Sequence, residues 1–149
     1  MSASARAAER AVVVEQLRAR PFPAAPSRTG GVVSAPLYHW AELASTPVWD
    51  GDVADARAKA ERQDAECERL VAAVRALWGQ EPDTIALTGL LLREAAGETL
   101  PEPWRQLAHG MPVLNVWQRE GRWTAIGVSG FGADHERTLV AVVTATDPP

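Results

Sequence analysis

The chain predicts an α+β fold in which one long amphipathic helix and several short helices pack on a small antiparallel sheet. Three observations carry that expectation. The stretch Val53 to Trp78 keeps helical periodicity up to a terminal glycine, Gly79. Three β-rich runs fill the C-terminal third, two of them joined by the dipeptide Glu120-Gly121. Helical segments come first and sheet-forming segments after them, instead of alternating as in a parallel α/β protein.

The elements follow in order. Ser4 to Arg20 is rich in alanine and ends at Pro21, so it reads as a helix. Val13, Val14 and Leu17 form a narrow apolar stripe on it, with Ala7 and Ala11 beside them. Pro21 to Gly31 holds three prolines and two glycines in eleven residues, the composition of a linker. These features divide the chain into an N-terminal helix (1–20), a Pro/Gly linker (21–35) and a single α+β domain (36–149), with the first 35 residues loosely attached. Pro36 to Leu43 is dense in large apolar groups and reads as a short helix or an extended segment. Thr46 to Gly51 reads as a turn, with Asp50 or Asp52 placed to cap the long helix.

In the C-terminal half of that helix, Cys67, Leu70, Val71, Val74, Leu77 and Trp78 recur at helical spacing and are expected to face a core. Asp55 to Glu66 holds mainly alanine and charge, which suits a solvated face, packing through alanines alone, or a surface offered to a partner. Thr84 to Leu87 is a candidate fourth strand at a sheet edge. Thr88 stands where it could cap a brief helix through Leu90 to Leu92 that stops at Gly97. Pro101-Glu102-Pro103-Trp104 opens another short helix reaching about His109. Val113–Arg119, Arg122–Ser129 and Arg137–Thr146 then form a three-stranded meander. Its first turn is the two-residue loop Glu120-Gly121, and its second connection is Gly130 to Glu136. No internal sequence repeat is visible.

Composition narrows the function classes. At 149 residues the chain fits one domain able to bury its own core. Its single cysteine, Cys67, allows neither an internal disulfide nor a cysteine metal cluster. Arg6, Glu9 and Arg10 interrupt any secretory signal, and no run approaches a membrane span. A soluble, cytoplasmic protein is therefore expected. The formal charge of −4 and the absence of a basic cluster argue against nucleic acid as a partner. Neither a cofactor nor a metal is expected.

Several side chains invite a chemical reading. Gly127-Val128-Ser129-Gly130-Phe131-Gly132 is similar to a nucleophile elbow, but Phe131 stands where the pattern needs glycine. Asp134, His135 and Glu136 lie side by side in a turn, and consecutive residues of an extended chain point to opposite faces. His39, between Tyr38 and Trp40, could share an aromatic pocket with Trp49 and Asp50 as an acid–base pair. His109 at a helix end meets the favourable end of the helix dipole. Cys67, between Glu66 and Glu68, is expected to be an inert core thiol. In the first hairpin Arg119 pairs with Arg122, Gln118 with Trp123 and Trp117 with Thr124. Trp117, Arg119 and Arg122 then share a face and carry residue types enriched in binding hot spots.

Pro101-Glu102-Pro103-Trp104, Trp117, Gly121-Arg122-Trp123, Gly127-Val128-Ser129 and the closing Val140 to Asp147 resemble small uncharacterised proteins of actinomycetes, particularly of Streptomyces-type genomes. The resemblance spans residues 36–149 and implies no activity. The expected function is a non-enzymatic protein-binding partner, by analogy of size and acidity an immunity-type inhibitor, using Trp117, Arg119 and Arg122 or the charged half of the long helix. The alternatives are a small-molecule-binding or minor hydrolytic pocket around His39, Trp49 and Asp50, and a homo-oligomer built through the N-terminal helix.

Overall fold

The computed structural model describes residues 2–45, 53–130 and 137–149. Among them the chain forms α1 (Ala3–Ala19), β1 (Ser27–Thr29), β2 (Val32–Ala35), β3 (Tyr38–Ser45), α2 (Val53–Trp78), β4 (Asp83–Ala86), α3 (Thr88–Ala95), α4 (Trp104–Gly110), β5 (Val113–Arg119), β6 (Arg122–Ser129) and β7 (Thr138–Thr144). The α+β class is as expected, but the sheet is larger than a C-terminal meander. All seven strands join one antiparallel sheet in the order β1-β2-β3-β7-β6-β5-β4.

That order contains a repetition of connectivity that the residues do not display. A helix followed by a three-stranded meander occurs twice, as α1-β1-β2-β3 and as α2 with β5-β6-β7, and the two meanders meet where β3 pairs with β7. The segment β4-α3-α4 is inserted into the second unit. Different side chains build the two units, so the repeat is one of topology alone.

Helices cover both faces. On one face α1 and α2 bury Ala11, Val14, Leu70, Val74 and Trp78 against Trp117, Ile126, Val128, Leu139 and Ala141. Leu17 extends that layer over Ala41 and Val143. On the other face, Leu87, Leu90, Trp104 and Leu107, from α3, α4 and their flanks, pack on Leu114, Val116, Ala125, Val140 and Val142. The strands between are therefore buried on both sides, and β7 is buried at every position, which is why its sequence is a continuous apolar run without alternation.

The N-terminal region departs most from expectation. The helix is not loosely attached: Ala7, Ala11, Val14 and Leu17 are buried, removing apolar surface worth roughly 5 kcal/mol from water. Arg6 Nη2 and Arg10 Nη1 donate to the two carboxylate oxygens of Glu66 on α2 at 2.7 and 2.8 Å. Ser2 caps the helix by accepting from the Ala5 amide at 3.1 Å. The stretch expected as a linker contains both β1 and β2. Its glycines form a tight turn: Gly30 has φ +59°, and a Cβ on Gly31 would lie 2.9 Å from the Glu42 carbonyl oxygen. Glycine is required there by a close backbone approach, not by flexibility.

α2 spans Val53–Trp78 as expected, and its charged half is not simply solvated. Gln63 is buried and donates to the carbonyls of Ala44 and Arg137 at 2.9 and 3.1 Å. Leu77, expected in the core, is 50% exposed. Thr88 opens α3 from inside the helix, and the capping position belongs to Leu87, which makes no side-chain cap bond. The first meander turn has the expected register, Arg119 opposite Arg122, with Glu120 at φ 53° and Gly121 at φ 77°. Positive φ at both positions is the hairpin geometry that matches strand twist.

Candidate functional site

The hairpin face expected to be a binding surface is occupied by the protein's own helices. Trp117 is 1% exposed. It packs edge-on against Trp78 with ring centroids 5.7 Å apart, and its indole N–H donates to the Gln80 carbonyl at 2.9 Å. The Arg119 guanidinium lies over the Trp78 ring at 5.5 Å. Arg122 lies over Phe22 at 4.1 Å and donates through Nη1 to the carbonyls of Arg18 and Arg20. The three side chains share a face, as the register required. That face is the one α1 and α2 cover, so they are not exposed together as an interface would require.

The Arg20 carbonyl leads to the second predicted position. His39 on β3 is fully buried. Its Nε2 lies 3.1 Å from the Arg20 carbonyl and its Nδ1 lies 2.7 Å from Ser34 Oγ on β2. A carbonyl can only accept, so Nε2 carries the proton and Nδ1 is the acceptor for the serine hydroxyl. Phe22 covers the ring, with centroids 4.9 Å apart and planes tilted by 32°. Burial holds the His39 pKa below its ordinary value, and the nearby charges of Arg20 and Arg122 push the same way. The imidazole is therefore neutral at pH 7.

Strand register explains the meeting of these groups. Ser27 pairs with Ser34, Ser34 with His39, His39 with Val143, Val143 with Thr124, and Thr124 with Trp117. One transverse row thus crosses the sheet on its α1 side, polar at the β1 end and apolar towards the centre. Beyond the end of α1 the chain crosses above β1–β3. There, Arg20, Pro21, Pro23, Ser27, Thr29, Val32, Ser34 and His39 line an open cleft of about 200 Å³. Pocket partners expected for His39, Trp49 and Asp50, lie outside the described residues.

Ser34 and the Arg20 carbonyl were not singled out from the sequence, yet a signal for Ser34 exists. Pro36-Leu37 is a two-residue connection between β2 and β3, and counting outward from it places Ser34 opposite His39. The Arg20 carbonyl left no comparable trace, because a backbone group acquires its partner only through the tertiary path of the chain.

The remaining candidates have structural roles. Ser129 ends β6 and donates to the Thr138 carbonyl at 3.4 Å. A Cβ on Gly127 would fall 2.9 Å from the Val113 carbonyl oxygen, so this glycine serves close packing. Phe131 to Glu136, with Asp134 and His135, lie outside the described residues. Burial, aided by Asp64 and Glu68, pushes the Cys67 thiol up to about 11, which keeps it protonated and unreactive. His109 Nε2 lies 2.6 Å from Glu94 on α3, tying α4 to that helix. Among the described residues no group of three or more His, Cys, Asp or Glu side chains could hold a metal ion, and no helix is long and apolar enough to cross a membrane.

Comparison of the chain with protein-family models, with curated proteins and with solved structures finds no match.

Proposed function

We propose that the protein binds a small acyl compound, a short carboxylic acid or its ester, in the cleft beside Ser34 and His39. The observation that carries this reading is a buried histidine hydrogen-bonded to a serine hydroxyl on the wall of an open cleft. The hydroxyls of Ser27, Thr29 and Ser34 and the guanidinium of Arg20 supply polar contacts for a carboxyl group. Pro21, Pro23 and Val32 supply an apolar wall for a short chain. The volume is below the roughly 300 Å³ at which sites for drug-sized ligands begin, which restricts the ligand to a small one.

The test is an NMR titration of the isotope-labelled protein with acetate and butyrate at constant ionic strength. Saturable shifts at Ser34 and His39 are expected, weakened by Arg20→Ala, which removes the guanidinium and leaves the backbone carbonyl in place. Absence of saturable shifts at these residues would overturn the reading.

Protein binding is a second reading, moved from the hairpin to the outer side of the helix pair. Ala8, Ala11 and Val12 of α1 and Ala73, Ala76 and Leu77 of α2 line an apolar groove of about 430 Å³. Val12 and Leu77 on it are both half exposed. Alanines along a groove allow a partner helix to approach closely. An immunity-type inhibitor would be one instance of such a module. Val12→Asp with Leu77→Asp should abolish any complex captured by the wild type while leaving thermal stability unchanged. A complex that survives both substitutions places the contact elsewhere, and a dimer that they dissociate makes the occupant a second copy.

A further inference from the structure

We infer that Ser34 is a nucleophile towards short acyl esters, with His39 as its general base and the Arg20 carbonyl as the group that orients the base. This rests on the cleft reading above and adds a reaction to it. Three geometric requirements of nucleophilic catalysis are met on one row of the sheet. The nucleophile and base are 2.7 Å apart. The base is held from behind by a carbonyl 3.1 Å from its other ring nitrogen. The serine lies on the wall of a cleft open to solvent, and the histidine, its ring covered by Phe22, lines the same cleft beside it.

The carbonyl does for His39 what a carboxylate does in a Ser-His-acid triad: it selects the tautomer whose free nitrogen faces the serine, and its dipole favours the imidazolium that forms during the reaction. Arg122 keeps that carbonyl in place by donating to it from the hairpin. Arg122 is therefore a positioning residue, and it links the hairpin tip to a site farther along the same face of the sheet.

The reaction balances within the cleft. Ser34 Oγ bonds to the acyl carbon of the ester while its proton passes to His39 Nδ1. The bond from the acyl carbon to the alcohol oxygen then breaks, and the departing alkoxide takes that proton from Nδ1. Water attacks the acyl-serine next, its proton passing to Nδ1 and from there to Ser34 Oγ as the carboxylic acid leaves. Ser27, directly opposite Ser34 in the register, and Thr29 line the cleft, and their hydroxyls would be the donors to the developing oxyanion. A cleft of this size selects acetyl to butyryl groups over long acyl chains.

The experiment uses the full chain with two probes, p-nitrophenyl acetate and a small alkyl fluorophosphonate. Intact-mass measurement should show one phosphonyl adduct per chain, and peptide mapping should place it on Ser34. Hydrolysis of the ester should fall at least a hundredfold in Ser34→Ala, and both adduct and hydrolysis should fall in Arg122→Gln more than in Arg119→Gln. Adduct mapping needs only the wild-type protein, so the inference stays testable if a variant folds poorly. Absence of an adduct, or an adduct on another residue, would overturn it. Saturable acetate binding by NMR without an adduct or hydrolysis would defeat the nucleophile and leave the binding site standing. Loss of both would defeat the cleft reading as well.

Discussion

Burial acts through different physics on two polar residues of the same transverse row. Among the described residues the Thr124 hydroxyl is buried with no hydrogen-bond partner, and such a group costs on the order of 1–3 kcal/mol of desolvation. Thr124→Val keeps the shape and removes the unmet group. It should raise the midpoint of urea unfolding by about 1 kcal/mol of stability with no change in slope. His39 has both ring nitrogens satisfied, and its burden is electrostatic. Its folded-state pKa lies below the ordinary 6.5, mainly through burial, so below that pH the unfolded chain takes up a proton that the folded chain does not. Stability should therefore fall as pH drops through this window, until the folded pKa is reached. Glutamine can accept from Ser34 and donate to the Arg20 carbonyl without titrating, so His39→Gln should flatten the slope of unfolding free energy between pH 7 and pH 5. An unchanged slope would assign it to other groups.

At the scale of elements, α1 is a structural part of the sheet's cover. Leu17→Ala should cost roughly 2–5 kcal/mol, the range for a fully buried leucine, and the loss should appear in global denaturation rather than as local fraying. Glu66 ties the same helix to α2. Hydrogen bonding from Arg6 holds its carboxyl below the usual carboxylate range. That contribution is present above pH about 4.5 and is lost as pH falls through the folded pKa. Glu66→Gln should therefore destabilise the protein at pH 7 and narrow its difference from wild type near pH 3, both read by denaturant titration. Trp117→Ala should behave as a core truncation costing about 3–5 kcal/mol. A variant that instead kept wild-type stability would return Trp117 to the surface role its sequence suggested. These expectations follow from where two meanders meet under two helices, which no single element shows by itself.

For the whole molecule, the sheet is protected unevenly. β7 lies at its centre and is buried throughout, whereas β1 is an edge strand exposed at each of its three residues. Amide hydrogen exchange should accordingly be slowest in β6 and β7, approaching the global unfolding free energy, and much faster in β1 and β4. The Ser34–His39 site stands on the less protected end, between that edge and the centre. Much of the molecule was legible in the chain. The span of α2, the α+β class and the 119–122 register all follow from local signals: helical periodicity, a two-residue loop and alternation along a strand. The hairpin register also placed Trp117 with Arg119 and Arg122 on one face. What lies against that face is a separate matter, because alternation distinguishes two sides of a sheet without saying what covers each. The same limit hid β1 and β2, whose proline- and glycine-rich surroundings match a linker until a neighbouring strand supplies their hydrogen bonds. His39 was identified from its own chemistry. Its partners, Ser34 across a hairpin and the carbonyl of Arg20, were supplied by the path of the chain beyond α1. The sequence by itself determined the local elements and the apolar faces, because both depend on residues a few positions apart. Only the tertiary structure decided which face is covered and which groups meet, because those depend on contacts between residues that the sequence holds far apart.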